Sequence, residues 1–216
     1  MKLSKRLEAV ATLVDVGVRV IDVGCDHGYL DIYLTQNNDN KCIATDINKN
    51  ALESAINNIK KNNLEDKIET KLTDGLTDIK VKKNDNIIIC GMGTQTILEI
   101  LNTNKLSNTL IISSNNNIEL LRREVVKLGY IIDTEIFIVD KDKPYIIIKF
   151  IKGIKKYKDN DYIFGPILKH NTRYRKYLIK KYKEIYNKVS IKKISVKFKY
   201  LLLMLRLKLF DIKIEI

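Results

Sequence analysis

Cysteine and histidine are scarce in this chain of 216 residues, three of one and two of the other. Cys25, Cys42 and Cys90 include no C-x-x-C pair, and each sits in or beside an apolar run. An odd number of scattered thiols excludes a disulfide framework and points to reduced, mostly buried side chains. His27 and His170 are far apart in sequence, with no accompanying cluster of cysteine or carboxylate ligands, so no metal is expected. Long apolar runs are missing too. The most lipid-like stretch, Tyr200 to Phe210, is too short for a bilayer and carries Arg206 and Lys208. The opening MKLSKRLEAVATLV is interrupted by Glu8 and Thr12 and lacks the apolar segment of a secretory signal. A cytoplasmic monomer without membrane contact is the expectation. Glycine numbers nine and proline two, and neither occurs between residues 168 and 210, which frees that stretch to be helical.

Positive charge is in excess, and it is unevenly placed. The whole chain carries 39 Lys+Arg against 26 Asp+Glu, a net +13. Residues 1–150 are balanced, 20 against 21, whereas residues 151–216 hold 19 against 5. A codon bias toward lysine would raise both parts alike. The asymmetry is the footprint of a polyanion-binding surface, with a membrane surface as second choice.

Length allows one full core and an appendage. Leu3, Leu7, Val10 and Val14 recur at helical spacing and predict a helix over 3–16. Strand-like runs follow at 18–23, 41–47, 67–72, 84–90 and 108–114, with helical patterns between them and Asn48 available to cap the helix at Ala51, Leu52, Ala55, Ile56 and Ile59. Two last strands, 130–140 and 143–152, lie too close for a crossover and predict a hairpin. No repeat occurs at solenoid periods. The expected fold is α/β: a seven-stranded, mostly parallel sheet over residues 1–153, then a basic helical domain over 154–216. In the second part Tyr174, Leu178, Tyr182, Ile185 and Val189, then Ile191, Ile194, Phe198, Leu201, Leu205 and Leu209, predict two helices packed in coiled-coil fashion, turning near Asn187 to Ser190.

In an open parallel sheet the ligand lies past the carboxyl ends of the strands. There the first strand runs into DVGCDHGYLDIYL, with glycines at 24 and 28, and the second ends at Asp46, placed to accept hydrogen bonds from ribose hydroxyls. A dinucleotide fingerprint spaces its glycines at i, i+2 and i+5 so that pyrophosphate meets the helix N-terminus. Here they stand at i and i+4, and Asp26 would repel a phosphate. S-adenosylmethionine has a sulfonium, an amino-acid end and no phosphate, and it suits the loop.

The same loop resembles the D-[IV]-G-[SC]-D-H-[AG]-Y-L-P-[IV] signature of the TrmK family of bacterial tRNA (adenine-22 N1)-methyltransferases. LSKRL at 3–7, TDGL at 73–76, GMG at 91–93 and FGPILKH at 164–170 are similar to further segments of that family. The resemblance implies a class I methyltransferase (Rossmann-like) fold with a C-terminal helical extension, S-adenosyl-L-methionine as cofactor and tRNA as partner. It implies cofactor contacts from Arg6, Gly24, His27, Gly28, Asp46, Asp74 and the Gly91–Met92 turn, together with Tyr29, Ile47 and Gly75. Two departures stand out: Ser113-Ser114-Asn115 where the family has Gln-Pro-Asn, and Asp31 where it has proline.

Methyl transfer from a sulfonium chiefly requires alignment of the acceptor with the methyl and the sulfur. Methylating adenine N1 leaves a positive charge unless N6 loses a proton, so a carboxylate nearby helps. Asp26 is the catalytic candidate, with a helix N-cap as its structural alternative. Asn115 either holds the target base or caps the helix from 116. His27 is read as a packing element of the loop. In the tail, Lys169, Arg173, Arg175, Lys176, Lys180, Lys181, Lys183, Lys188, Lys192, Lys193, Lys197 and Lys199 alternate with tyrosines, the cations suited to phosphates and the tyrosines to the core. Alternatives are a methyltransferase of another RNA or small molecule, or a non-catalytic RNA-binding protein of the same fold.

Overall fold

The computed structural model describes residues 2–190 and 193–212. Contacts divide the chain into two compact units, Met1–Lys156 and Tyr157–Ile216.

Unit 1 is a doubly wound sheet. In chain order its elements are α1 (Lys5–Ala11), β1 (Arg19–Val23), α2 (Tyr29–Asn38), β2 (Lys41–Asp46), α3 (Lys49–Lys61), β3 (Ile68–Leu72), β4 (Asn86–Met92), α4 (Thr94–Asn102), β5 (Thr109–Ser114), α5 (Ile118–Lys127), β6 (Tyr130–Asp140) and β7 (Lys143–Lys152). The strands lie in the order β3-β2-β1-β4-β5-β7-β6, with β7 antiparallel to both its neighbours. Ile87, Ile88 and Ile89 are fully buried, as the unbroken apolar run of β4 requires of a strand covered on both faces. The chain winds outward from β1 to β3 and then returns to β4 on the other side of β1. That reversal opens a crevice between the carboxyl ends of β1 and β4.

One local expectation changes and another holds. The first helix ends at Ala11 instead of residue 16, because Leu13 and Val14 bond back three residues, to Val10 and Ala11, and tighten out of the α form. Val10 and Val14 remain buried, so the apolar spacing recorded burial beyond the helix itself. Asn48 does cap α3, its side chain accepting from the N–H groups of Asn50 and Ala51.

Unit 2 holds α6 (Asp159–Phe164), a 3-10 turn (Leu168–His170), α7 (Thr172–Lys188) and α8 (Ile194–Ile212). Asn171 caps α7 by accepting from Tyr174 N at 2.9 Å, and α7 packs on α8. Tyr174 and Leu178 of α7 are buried, and Tyr182 lies 5.6 Å from Tyr200, centroid to centroid. On α8 the expected stripe is wrong. Ile194, Phe198, Leu201, Leu205 and Leu209 are exposed, while Leu203 and Leu207 are buried. The segment YLLLML is apolar around most of the helix, so more than one stripe satisfies the 3.6 period. Ile191 and Lys192 lie outside the described residues. Two cations assigned to phosphates are structural: Lys169 bonds Asp161 at 2.6 Å, and buried Arg175 donates to Lys169 O at 3.0 Å. Arg173, Lys176, Lys180, Lys181, Lys183 and Lys188 are exposed along α7. Among the described residues no helix is long and apolar enough to cross a membrane.

Candidate active site

The turn from β1 to α2 passes through left-handed backbone three times, at Gly24 (φ 81°), Asp26 (φ 53°) and Gly28 (φ 69°). Glycine tolerates that region freely, and aspartate better than most other residues. The turn is tied to β2, since Gly24 N and Cys25 N both donate to Thr45 O, at 2.8 and 2.9 Å. The two glycines serve different neighbours. A Cβ on Gly24 would stand 2.6 Å from Met92 Cε at the end of β4, and one on Gly28 would stand 3.1 Å from Ala55 Cβ on α3. Gly24 therefore opens the crevice, whereas Gly28 lets α3 close on the loop.

His27 acts as a clamp on α3. Its Nδ1 shares a 2.7 Å hydrogen bond with Ser54 Oγ, and its carbonyl accepts from Asn58 Nδ2 at 3.0 Å. Asp26 does not cap α2, whose N-cap is Gly28 with no side-chain bond. Its carboxylate is exposed instead, with one oxygen 3.6 Å from His27 Nε2. Asp46 already binds the backbone: Oδ2 accepts Asp26 N at 3.1 Å and Oδ1 accepts Asn48 N at 2.8 Å. Each oxygen retains a lone pair for a further donor.

Arg6, Asp22, Gly24, Asp26, His27 and Tyr29 line one cleft. The backbone N–H of Arg6 is held by Asp140 Oδ2 at 3.2 Å, and its guanidinium sits 5.4 Å from the Tyr145 ring centroid. At the end of β4, Asn115 donates its Nδ2 to Gly91 O at 2.7 Å and its N–H to Met92 O at 2.9 Å. The capping role considered for Asn115 is overturned, since α5 begins after Asn117 with no side-chain cap and Asn115 instead pins the β4 turn to β5. Asp74 and Gly75 line a second cleft with Thr96, Glu99 and Ile100. Just before Asp74, Thr73 N donates to Asp46 O at 3.0 Å, joining that segment to the end of β2. Ile47 is exposed.

Sequence reasoning missed Asp22 and Asp31 as a pair. Both are buried. Burial pushes Asp22 up to about 7, against the opposing pull of the neighbouring Asp31 carboxyl and of the Arg6 charge. Burial and the Asp22 charge hold Asp31 well above the carboxylate range. The available signal was an acidic residue inside an otherwise apolar strand, VIDV. Around them, burial raises the Cys25 and Cys42 thiols and pushes Cys90 up to about 12, so all three stay protonated at neutral pH.

A doubly wound sheet whose switch-point turn carries glycines and acid groups, in a cleft also lined by one arginine from α1, defines a nucleoside-binding protein of the class I methyltransferase type. Residues 3–148 match the methyltransferase domain family. A Bacillus subtilis tRNA (adenine(22)-N(1))-methyltransferase is 33% identical over 153 residues, which is 68% of this chain and 64% of that protein. A solved Mycoplasma capricolum TrmK in complex with S-adenosyl-homocysteine is 34% identical with a TM-score of 0.83, covering 98% of this chain and 99% of that one. A Streptococcus pneumoniae putative tRNA (m1A22) methyltransferase, solved with S-adenosyl-L-methionine, is 26% identical with a TM-score of 0.85, covering 97% and 99%. The chain belongs to the methyltransferase domain family and, within it, to the TrmK group.

Proposed function

We propose that the protein transfers a methyl group from S-adenosyl-L-methionine to N1 of an adenine in tRNA, adenine 22 in the D-arm region, acting in the cytoplasm as a monomer. The observation that carries this reading is the cleft at the β1/β4 switch point, lined by one cation, Arg6, and one acid group, Asp22, together with Gly24. Those residues suit the cofactor: a zwitterionic amino-acid end meets one cation and one acid, and ribose hydroxyls find the free lone pairs of Asp46. When bound, it supplies a methyl already activated on sulfonium.

What remains is done by the chain. Gly24 and the Gly91–Met92 turn let the backbone approach closely, and Asn115 keeps that turn in register with β5. Exposed at the mouth, Asp26 stabilises the positive charge that grows on the adenine ring and takes up the N6 proton. N1 lies on the pairing edge, so the base must leave its stack, and the cations of α7 grip the surrounding phosphates. Residues 1–153 thus hold the chemistry and residues 154–216 the polyanion.

Treating unmodified tRNA with the protein and mapping methylated nucleosides by mass spectrometry should place N1-methyladenosine at adenine 22. Methylation confined to another nucleotide, or none, would refute the assignment. In the same assay Asp26→Asn, which tolerates the left-handed backbone but removes the charge, should retain S-adenosylhomocysteine affinity and lose turnover by about 10²–10⁴-fold.

A further inference from the structure

The amino end of β5 has a cavity beside it. β7 runs antiparallel to β5 with Phe150 opposite Leu110, so Lys152 stands just before β5 begins, and across the hairpin it faces Tyr130, the first residue of β6. Around this pair the ends of α4 and α5, with the residues that follow each, enclose about 300 Å³. That volume is at the lower limit of small-molecule sites. The cavity lies at the end of the sheet opposite the β1/β4 cleft and shares no residue with it. Leu101, Leu106 and Leu128 supply apolar wall, Lys105 and Lys152 supply positive charge, and no carboxylate lines it.

Two of these residues carry polar groups that the fold leaves unused. Tyr130 is 2% exposed, and its hydroxyl is buried without a hydrogen-bond partner. Buried hydroxyls are as a rule paired, so this one is a donor lacking its acceptor. Burial pushes Tyr130 up to about 12, and it therefore keeps the proton it would donate. The Lys152 ammonium lies 3.9 Å from the centroid of the same ring and donates to Leu128 O at 2.8 Å. That bond fixes its place and uses one of its three protons. Among the described residues no carboxylate opposes the lowering that partial burial imposes on Lys152. With the ammonium over the face of the ring and the hydroxyl on its rim, the two oxygens of one carboxylate can reach both.

We propose that this cavity is a second binding site, for a small organic carboxylate that accepts from Lys152 through one oxygen and from the Tyr130 hydroxyl through the other, its apolar body resting on the three leucines. A phosphate fits less well, because it brings a third oxygen and a second charge to one ammonium and one hydroxyl. Lys105, which is exposed, adds attraction without a fixed bond. The site does not depend on the methyl-transfer reading, since the two clefts have no side chain in common.

The test is a titration of the full chain with benzoate, followed by backbone amide shifts in NMR, with benzamide as the neutral isostere. The expected result is saturable shifts confined to residues 101–106, 128–130 and 152, with a dissociation constant of about 1 mM for so small a ligand. Benzamide should bind at least about tenfold more weakly. Lys152→Met, which keeps the stem at an exposed position, should weaken benzoate by about tenfold. Tyr130→Phe should weaken it by a similar factor without lowering the melting temperature, because the hydroxyl removed has no partner to lose. No shifts, shifts confined to the Gly24 loop, or equal binding of benzamide would each overturn the proposal. So would unchanged affinity in Lys152→Met, or a fall in melting temperature in Tyr130→Phe, which would mean that the hydroxyl is already engaged. Tighter binding of phenyl phosphate than of benzoate would overturn the choice of a carboxylate.

Discussion

At the scale of single residues, the site is built from positions where the backbone admits few side chains. Gly24 combines a left-handed backbone with Met92 pressed against the space a side chain would fill. Gly24→Ala should therefore cost about 1–2 kcal/mol through the backbone and lower the melting temperature by about 2–8 °C. The methionine end is flexible, so the clash is the smaller part. Adding Met92→Ala in a double variant should not restore the melting temperature; full recovery would show that crowding, not backbone strain, reserves this position for glycine. The glycine turn, Asp26 and Asp46 were legible in the sequence because strand-end glycines and acids follow from how parallel sheets bind nucleosides. The Asp22–Asp31 pair was not. It depends on which face of α2 turns toward β1, and a helix whose buried side includes Leu30, Asp31, Ile32, Leu34 and Thr35 offers too weak a contrast between faces to show it.

At the scale of elements, α8 shows the limit of periodicity as evidence. Its existence and approximate start followed from the absence of glycine and proline; its orientation did not, since an almost continuous apolar surface has no unique inward stripe. The two readings make opposite demands on mutants. Leu207→Ala, at a fully buried position, should destabilise unit 2 by about 2–5 kcal/mol, while Leu205→Ala, half exposed, should stay within about 0.5 kcal/mol. Thermal unfolding of the two variants decides it, and a larger loss at Leu205 than at Leu207 would mean the helix is turned the other way. β4 is the opposite case. A strand with an unbroken apolar run such as Ile87 to Cys90 belongs in the middle of a covered sheet, and Ile87, Ile88 and Ile89 are buried there.

At the scale of the whole molecule, the alternation of strands and helices and the closing hairpin were readable, because crossovers need length and hairpins do not. The lateral order of strands was not, for nothing in the residues of β7 says that it inserts between β5 and β6. That insertion has a consequence for synthesis. While the chain emerges from the ribosome, the flank of β5 that β7 will cover, at Leu110, Ile111 and Ile112, stays an open strand margin until the last ten-residue strand has been made. Nascent chains arrested before Lys143 should thus be protease-sensitive and prone to capture by chaperones, and those arrested well beyond Lys152 should be resistant. Such pulse-proteolysis of arrested chains would locate the moment at which the polypeptide commits to its native form.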